Sequence, residues 1–209
     1  MSRRRGIPFV VAAPSGTGKT TVCRRVVERD PRVEFSVSHT TRARRSAERD
    51  EVDYFFVSPG RFDELVEEGA FLEWAEYNRH RYGTSRDALD AELARGNDVL
   101  LEIEIQGAAQ VRERRSDARL VFLLPPSLER LEARLRGRET DSQEEIQRRL
   151  AVARGEIHAA SRFDFAVVND DLDRCVADVT DIVRGCRGGC EVQLRERFAP
   201  GTALERVSA

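Results

Sequence analysis

The stretch Phe9-Val10-Val11-Ala12-Ala13-Pro14-Ser15-Gly16-Thr17-Gly18-Lys19-Thr20-Thr21 decides the fold. Its apolar start reads as a short buried strand, a glycine-rich turn follows, and Lys19-Thr20 opens a helical run to Arg29 that Asp30-Pro31 closes. Strand, glycine turn and Lys-Thr at a helix start are the parts of a phosphate-binding loop. Backbone N–H groups wrap a polyphosphate, the helix N-terminus adds partial positive charge, and the lysine adds a mobile point charge. Thr20 would offer its hydroxyl to Mg2+. Ala13 stands where the pattern has its first glycine. The lysine is singular: of 35 basic residues, Lys19 alone is lysine and the rest are arginine.

Outward from the loop, further apolar runs at Val99–Ile105, Leu120–Leu124 and Phe165–Val168 read as strands. Helical patterns follow them at 107–115, 128–136 and 172–184, and a helix from a Ser85 cap to Gly96 precedes the first of the three. Continuous apolar strands alternating with helices predict an α/β fold, a parallel sheet covered by helices on both faces. Two stretches break the rhythm. Residues 35–84, with Val37, Tyr54-Phe55-Phe56 and Phe71-Leu72-Glu73-Trp74, predict a small β-rich insertion carrying one helix at 61–68. Residues 134–154 predict mostly helix, restarted by the capping box Ser142-x-x-Glu145, and carry Arg134, Arg136, Arg138, Arg148, Arg149 and Arg154. The core is expected over 1–34, 85–133 and 155–187. The tail 188–209, with Gly188-Gly189, Pro200 and Gly201, is expected to be loosely ordered.

Composition narrows the partners. The 209 residues allow one domain with small insertions, and 40% of them are apolar, which excludes wholesale disorder. Basic and acidic residues number 35 and 37, a balance that speaks against coating nucleic acid. No apolar window reaches the ~18 residues of a membrane span. Four cysteines are too few for a secreted scaffold, so a soluble cytoplasmic protein is expected, and Cys186 and Cys190 lack the second pair a zinc site needs. The sequence carries no reading of oligomeric state.

A second phosphate has a candidate site in the insertion, where Arg42, Arg45 and Tyr54 place cations and a phenol close in sequence. Glu73 is an acid inside an otherwise apolar run. The segments Ala13–Thr20, Phe35–Arg42, Phe71–Trp74, Tyr82-Gly83-Thr84, Gln106-Gly107 and Val168–Asp171, in that order, resemble guanylate kinase from about Ile7 to Arg187. The resemblance implies a phosphate-loop kinase core with a GMP-binding insertion and a helical lid. The implied reaction is Mg2+-dependent transfer of the ATP γ-phosphoryl group to GMP or dGMP, giving ADP and GDP. Matched position by position, Ala13 to Thr21 hold the ATP phosphates, Lys19, Arg138 and Arg149 act at the transferring group, and Asn169 lies beside adenine. Arg42, Arg45, Tyr54 and Tyr82 match ligands of the GMP phosphate; Ser38, Glu73 and Thr84 match the guanine readers, and Gly83 and Glu104 are counted with the GMP-binding residues. Glu102 and Glu104 match an acidic strand end usually closed by Asp, and either of them serves the metal or the GMP site. Independently, a carboxylate at 73 suits guanine, whose N1–H and N2–H are donors, and mismatches adenine, whose N1 is unprotonated. Six lid arginines around an empty cleft should repel one another and hold it open until phosphates arrive.

Overall fold

Side chains alternate along β1 (Pro8–Ala12), so Phe9 and Val11 point to one face of a sheet while Val10 and Ala12 point to the other, and all four are fully buried. Such two-sided burial requires helices on both faces. The computed structural model describes residues 4–77, 79–136 and 143–208. Its main sheet has the order β2 (Val33–Phe35), β7 (Asp98–Glu102), β1, β8 (Arg119–Leu124), β9 (Phe165–Val168), all parallel. On one face, α1 (Lys19–Arg29) and α7 (Leu172–Arg187) pack against Phe9 and Val11. On the other, α3 (Arg86–Arg95) and α4 (Ile105–Arg114) pack against Val10 and Ala12.

The insertion forms its own four-stranded sheet in the order β4 (Phe55–Phe56), β3 (His39–Thr40), β6 (His80–Ser85), β5 (Phe71–Tyr77), with α2 (Pro59–Glu67) beside it. Phe35 belongs to β2 and hence to the main sheet, one residue past the expected boundary. Strand β7 stops at Glu102, short of the predicted Ile105. The chain turns away there because Glu104 is already the N-cap residue of α4.

Two expectations are corrected. The tail is helical: after a turn through Gly189 at φ +80°, α8 (Glu191–Arg197) and α9 (Pro200–Ser208) dock on the main body. Leu194, Phe198 and Ala203 are buried, and the Phe198 carbonyl accepts from Ala166 N–H of β9 at 2.9 Å. Its glycines make a turn, and the apolar spacing makes amphipathic helices. The lid boundaries also move, because α5 (Leu128–Arg136) contains Arg134 and α6 (Gln143–His158) continues past Arg154. Leu131, Leu135, Ile146, Leu150 and Ala153 form a small core between these helices. Ser142 and Arg138 lie outside the described residues.

A buried ionic knot ties the end of the core remote from the phosphate loop. Asp98 accepts from Arg187 Nε (2.6 Å), Arg4 Nη2 (2.6 Å) and Ile7 N–H (2.9 Å), and Arg187 Nη1 also donates to Asp30 (2.9 Å). Burial pushes the Asp30 carboxyl up, but hydrogen bonds from Arg187, the Arg32 backbone and Arg184 outweigh it and bring the pKa down to about 2. A depressed carboxylate contributes stability above its unfolded pKa that is lost as pH falls through the folded value. Asp30→Asn should therefore cost roughly 2 kcal/mol at neutral pH, with the deficit vanishing as pH falls from about 4 to 2 in urea titrations. Arg187→Met strips a partner from two buried carboxylates and should cost about 3 kcal/mol in the same measurement.

Candidate functional site

The phosphate loop reverses the chain between β1 and α1, and two of its glycines take left-handed φ, +91° at Gly16 and +96° at Gly18. At Gly18 the reason is also spatial: a Cβ would stand 2.9 Å from the Asn169 amide nitrogen. That amide donates to the Thr17 carbonyl at 2.7 Å, and Arg134 Nη1 donates to the same oxygen at 3.2 Å while its Nη2 reaches Asn169 O at 2.8 Å. Asn169, expected beside adenine, is thus buried with its amide engaged by the loop. Arg134, expected only as a lid charge, braces the same carbonyl.

Lys19 projects from the first turn of α1 and donates to Ile103 O (2.8 Å) and Glu104 Oε1 (3.2 Å). Burial alone would lower its pKa, but the carboxylates of Glu104 and Glu102 outweigh that and raise it, so the ammonium form is secure. Thr20 Oγ1 donates to Glu102 Oε1 at 2.5 Å. Arg149, carried across by α6, donates from Nη2 to Ser15 Oγ. The expected repulsion among lid arginines is offset: Arg134 has two carbonyls, Arg136 has Glu132 and Gln143, Arg148 has Glu145, and Arg149 has Ser15.

Across the cleft, Arg42 is gripped by Glu48 through two hydrogen bonds, Nη2 to Oε1 at 2.7 Å and Nη1 to Oε2 at 3.0 Å. The Arg45 backbone N–H donates to the same carboxylate at 2.8 Å. Tyr54 lies under the Arg42 guanidinium, 5.4 Å from ring centroid to Cζ, with the Tyr82 ring at 5.9 Å. Burial first, then the nearby Glu102 charge, push the Tyr54 phenol up to about 12, which keeps it an O–H donor at neutral pH.

Glu73 and Thr84 face one another across β5 and β6, and the Thr84 hydroxyl donates to Glu73 Oε1 at 2.6 Å. Burial raises the Glu73 pKa against the Thr84 hydrogen bonds and the Arg114 charge. Gly83 is packed inside the insertion, where a Cβ would sit 3.0 Å from the Phe71 ring, so its missing side chain makes room for an aromatic.

The two halves share one cleft. A cavity of about 170 Å³ is lined by Lys19, Glu102 and Glu104 on the core side and by Ser38, Glu73 and Tyr82 on the insertion side. It adjoins the hollow of Ala13, Pro14, Ser15, Gly16, Thr20 and Thr21, and on its other flank the hollow of Arg42, Arg45 and Glu48. Glu102 lines all three. Sequence reasoning missed Glu48, concealed in an arginine-rich run where every charge reads as solvated. It also missed Tyr77, which lines the first two hollows from the end of β5. A separate hollow of about 380 Å³ between β9, α7 and α9 has no such convergence with the phosphate loop.

Cys23, Cys175, Cys186 and Cys190 are unbridged, and among the described residues no helix is long and apolar enough to cross a membrane.

The guanylate kinase family profile matches residues 5–185. The chain is 49% identical over 187 residues to a guanylate kinase of Syntrophotalea carbinolica, covering 88% of this chain and 89% of that one. It is 50% identical over 184 residues to a guanylate kinase of Neisseria gonorrhoeae, covering 88% and 90%. Its structure is similar to the crystal structure of guanylate kinase from Anaplasma phagocytophilum, with TM-score 0.74 and 31% identity over 88% of each chain. A phosphate loop and a buried carboxylate meeting across one cleft, together with these likenesses, place the chain in the guanylate kinase family.

Proposed function

We propose that this chain transfers the γ-phosphoryl group of ATP to GMP, and to dGMP, giving ADP and GDP, in the cytoplasm. The observation that carries the reading is that Lys19 and Glu73 line one cavity: a phosphate-loop cation on one side, a buried acceptor of N–H donors on the other. A kinase for phosphorylated sugars would have no use for buried Glu73. A non-catalytic interaction module would have no use for Lys19 held ionised among carboxylates.

The loop amides and the α1 N-terminus bind the ATP phosphates. Lys19 exchanges Glu104 for the transferring phosphate. Arg42, Arg45, Tyr54 and Tyr82 bind the GMP phosphate, with Glu48 orienting Arg42, and Glu73, Ser38 and Thr84 read guanine. An oxygen of the GMP phosphate attacks the γ-phosphorus in line, the bond to the bridging oxygen breaks, and ADP leaves with the electron pair. No covalent intermediate on the protein is needed, so positioning and charge supply the catalysis. Thr20 Oγ1 and Glu102 Oε1 are two hard oxygens that fit Mg2+, which takes few protein ligands beside phosphate oxygens and water. When bound, the ion neutralises charge on the β- and γ-phosphates. Arg149, already at Ser15, places further positive charge at the transferring group, a role that the resemblance also implies for Arg138.

A coupled assay with purified protein should show ADP formation dependent on both ATP and GMP. Lys19→Met should abolish turnover while leaving the fold intact, and retention of more than about a tenth of the activity would overturn the assignment. Glu73→Gln, which presents an NH2 where an acceptor is needed, should lower kcat/KM for GMP by about 10- to 100-fold while the KM for ATP hardly moves. Equal damage to both substrates would make Glu73 a folding residue. Arg149→Ala should lower kcat at least ~10-fold with little change in the KM for GMP, measured by steady-state kinetics; the reverse pattern would remove Arg149 from the transition state.

A further inference from the structure

Strand β5 lies at the edge of the insertion sheet, with β6 on one side. Its other side meets α4, a helix of the core that starts one residue after Glu104. Gly107, Gln110 and Arg114, at i, i+3 and i+7, fall on one face of that helix. Gln110 Nε2 donates to Trp74 O at 2.7 Å, its Oε1 accepts from Trp74 N–H at 3.4 Å, and Arg114 Nη1 donates to Leu72 O. Both neighbours of Glu73 are therefore held by their backbones, and the Gln110 amide stands in for a missing strand partner.

Glu73 itself meets the helix at Gly107. A Cβ there would lie 2.3 Å from Glu73 Oε2 and 3.0 Å from its Cδ. The carboxylate thus sits with Oε1 on the Thr84 hydroxyl and Oε2 in the gap that the glycine leaves. We propose that the Gly107–Gln110–Arg114 face of α4 is the positioning element that sets where the Glu73 carboxylate stands, and thereby how strongly the site prefers a purine bearing a 2-amino group. The proposal rests on the assignment of Glu73 to guanine. A methyl group at 107 forces the carboxylate back by roughly 1 Å to reach ordinary contact distance, far enough to break a two-point contact with N1–H and N2–H. Hypoxanthine, which keeps N1–H and lacks the amino group, has only the first of those contacts to lose.

The test is steady-state kinetics with GMP and IMP on the full chain. Gly107→Ala should lower kcat/KM for GMP about 10-fold or more and the GMP-to-IMP preference at least about fivefold, with the KM for ATP within about twofold. Glu73→Asp, which withdraws the carboxylate by one methylene, should impair the wild-type background yet restore part of the lost preference in Gly107→Ala. Gln110→Ala, which removes a partly exposed side chain, should lower the preference by a smaller factor and decides the matter if Gly107→Ala does not fold. Unchanged preference in Gly107→Ala or, failing its folding, in Gln110→Ala, while Glu73→Gln loses it, overturns the proposal and leaves the Glu73 assignment standing. Absence of rescue in the double variant overturns direct action on the carboxylate. Unchanged preference in Glu73→Gln overturns the underlying assignment itself.

Discussion

Everything at the nucleotide end depends on a carbonyl being pulled outward. The Thr17 oxygen is held from behind by Asn169 at the end of β9 and by Arg134 of α5. Because the peptide unit is planar and trans, a carbonyl fixed away from the loop turns the next N–H, that of Gly18, the opposite way. The amide array that makes the loop an anion receptor is thus imposed by two side chains about 117 and 152 positions further along the chain. The left-handed glycines allow that conformation, and the outward tether selects it.

Charge in the cleft is organised as ion pairs. Lys19 rests on Glu104, and Arg42 rests on Glu48. A bare cluster of such cations would repel itself and resist folding. Each carboxylate keeps its cation ionised and aimed, and under the proposed function an arriving phosphate competes for the same N–H groups. The partners also restrict where the cations can point, so less side-chain freedom remains to be lost on binding.

Much of this was legible in the sequence, for reasons that differ by residue. The loop is local chemistry: glycines, a lone lysine and a hydroxyl at fixed spacing. Four of the five core strands are nearly as plain, since β1, β7, β8 and β9 are built on apolar runs, whereas β2 has three residues with Glu34 at its centre and carries no such signal. The resemblance put Glu73 and Thr84 in one expected guanine site, and the structure sets them opposite one another across β5 and β6, eleven residues apart in the chain. What stayed hidden was contact between distant segments. Nothing marks Arg134 as a partner of a loop carbonyl, because a guanidinium on a helix reads the same whether it faces water or an oxygen. Gly107 carries no sign of the carboxylate it accommodates. The tail is hard to read because Gly188-Gly189 suggests a loose segment, whereas the spacing of Leu194, Phe198 and Ala203, whose burial supplies its order, is spread over two short helices.

The docked tail has a consequence for the molecule's behaviour in a crowded solution. A parallel sheet with an open border offers unpaired backbone groups to any extended chain that drifts past. At one border, β2 is only three residues long, too short to template much. At the other, the Phe198 carbonyl occupies the Ala166 N–H, and α9 lies against β9. The C-terminal helices therefore act as a selvedge, covering part of that margin and occupying one of the backbone groups that a further strand would use.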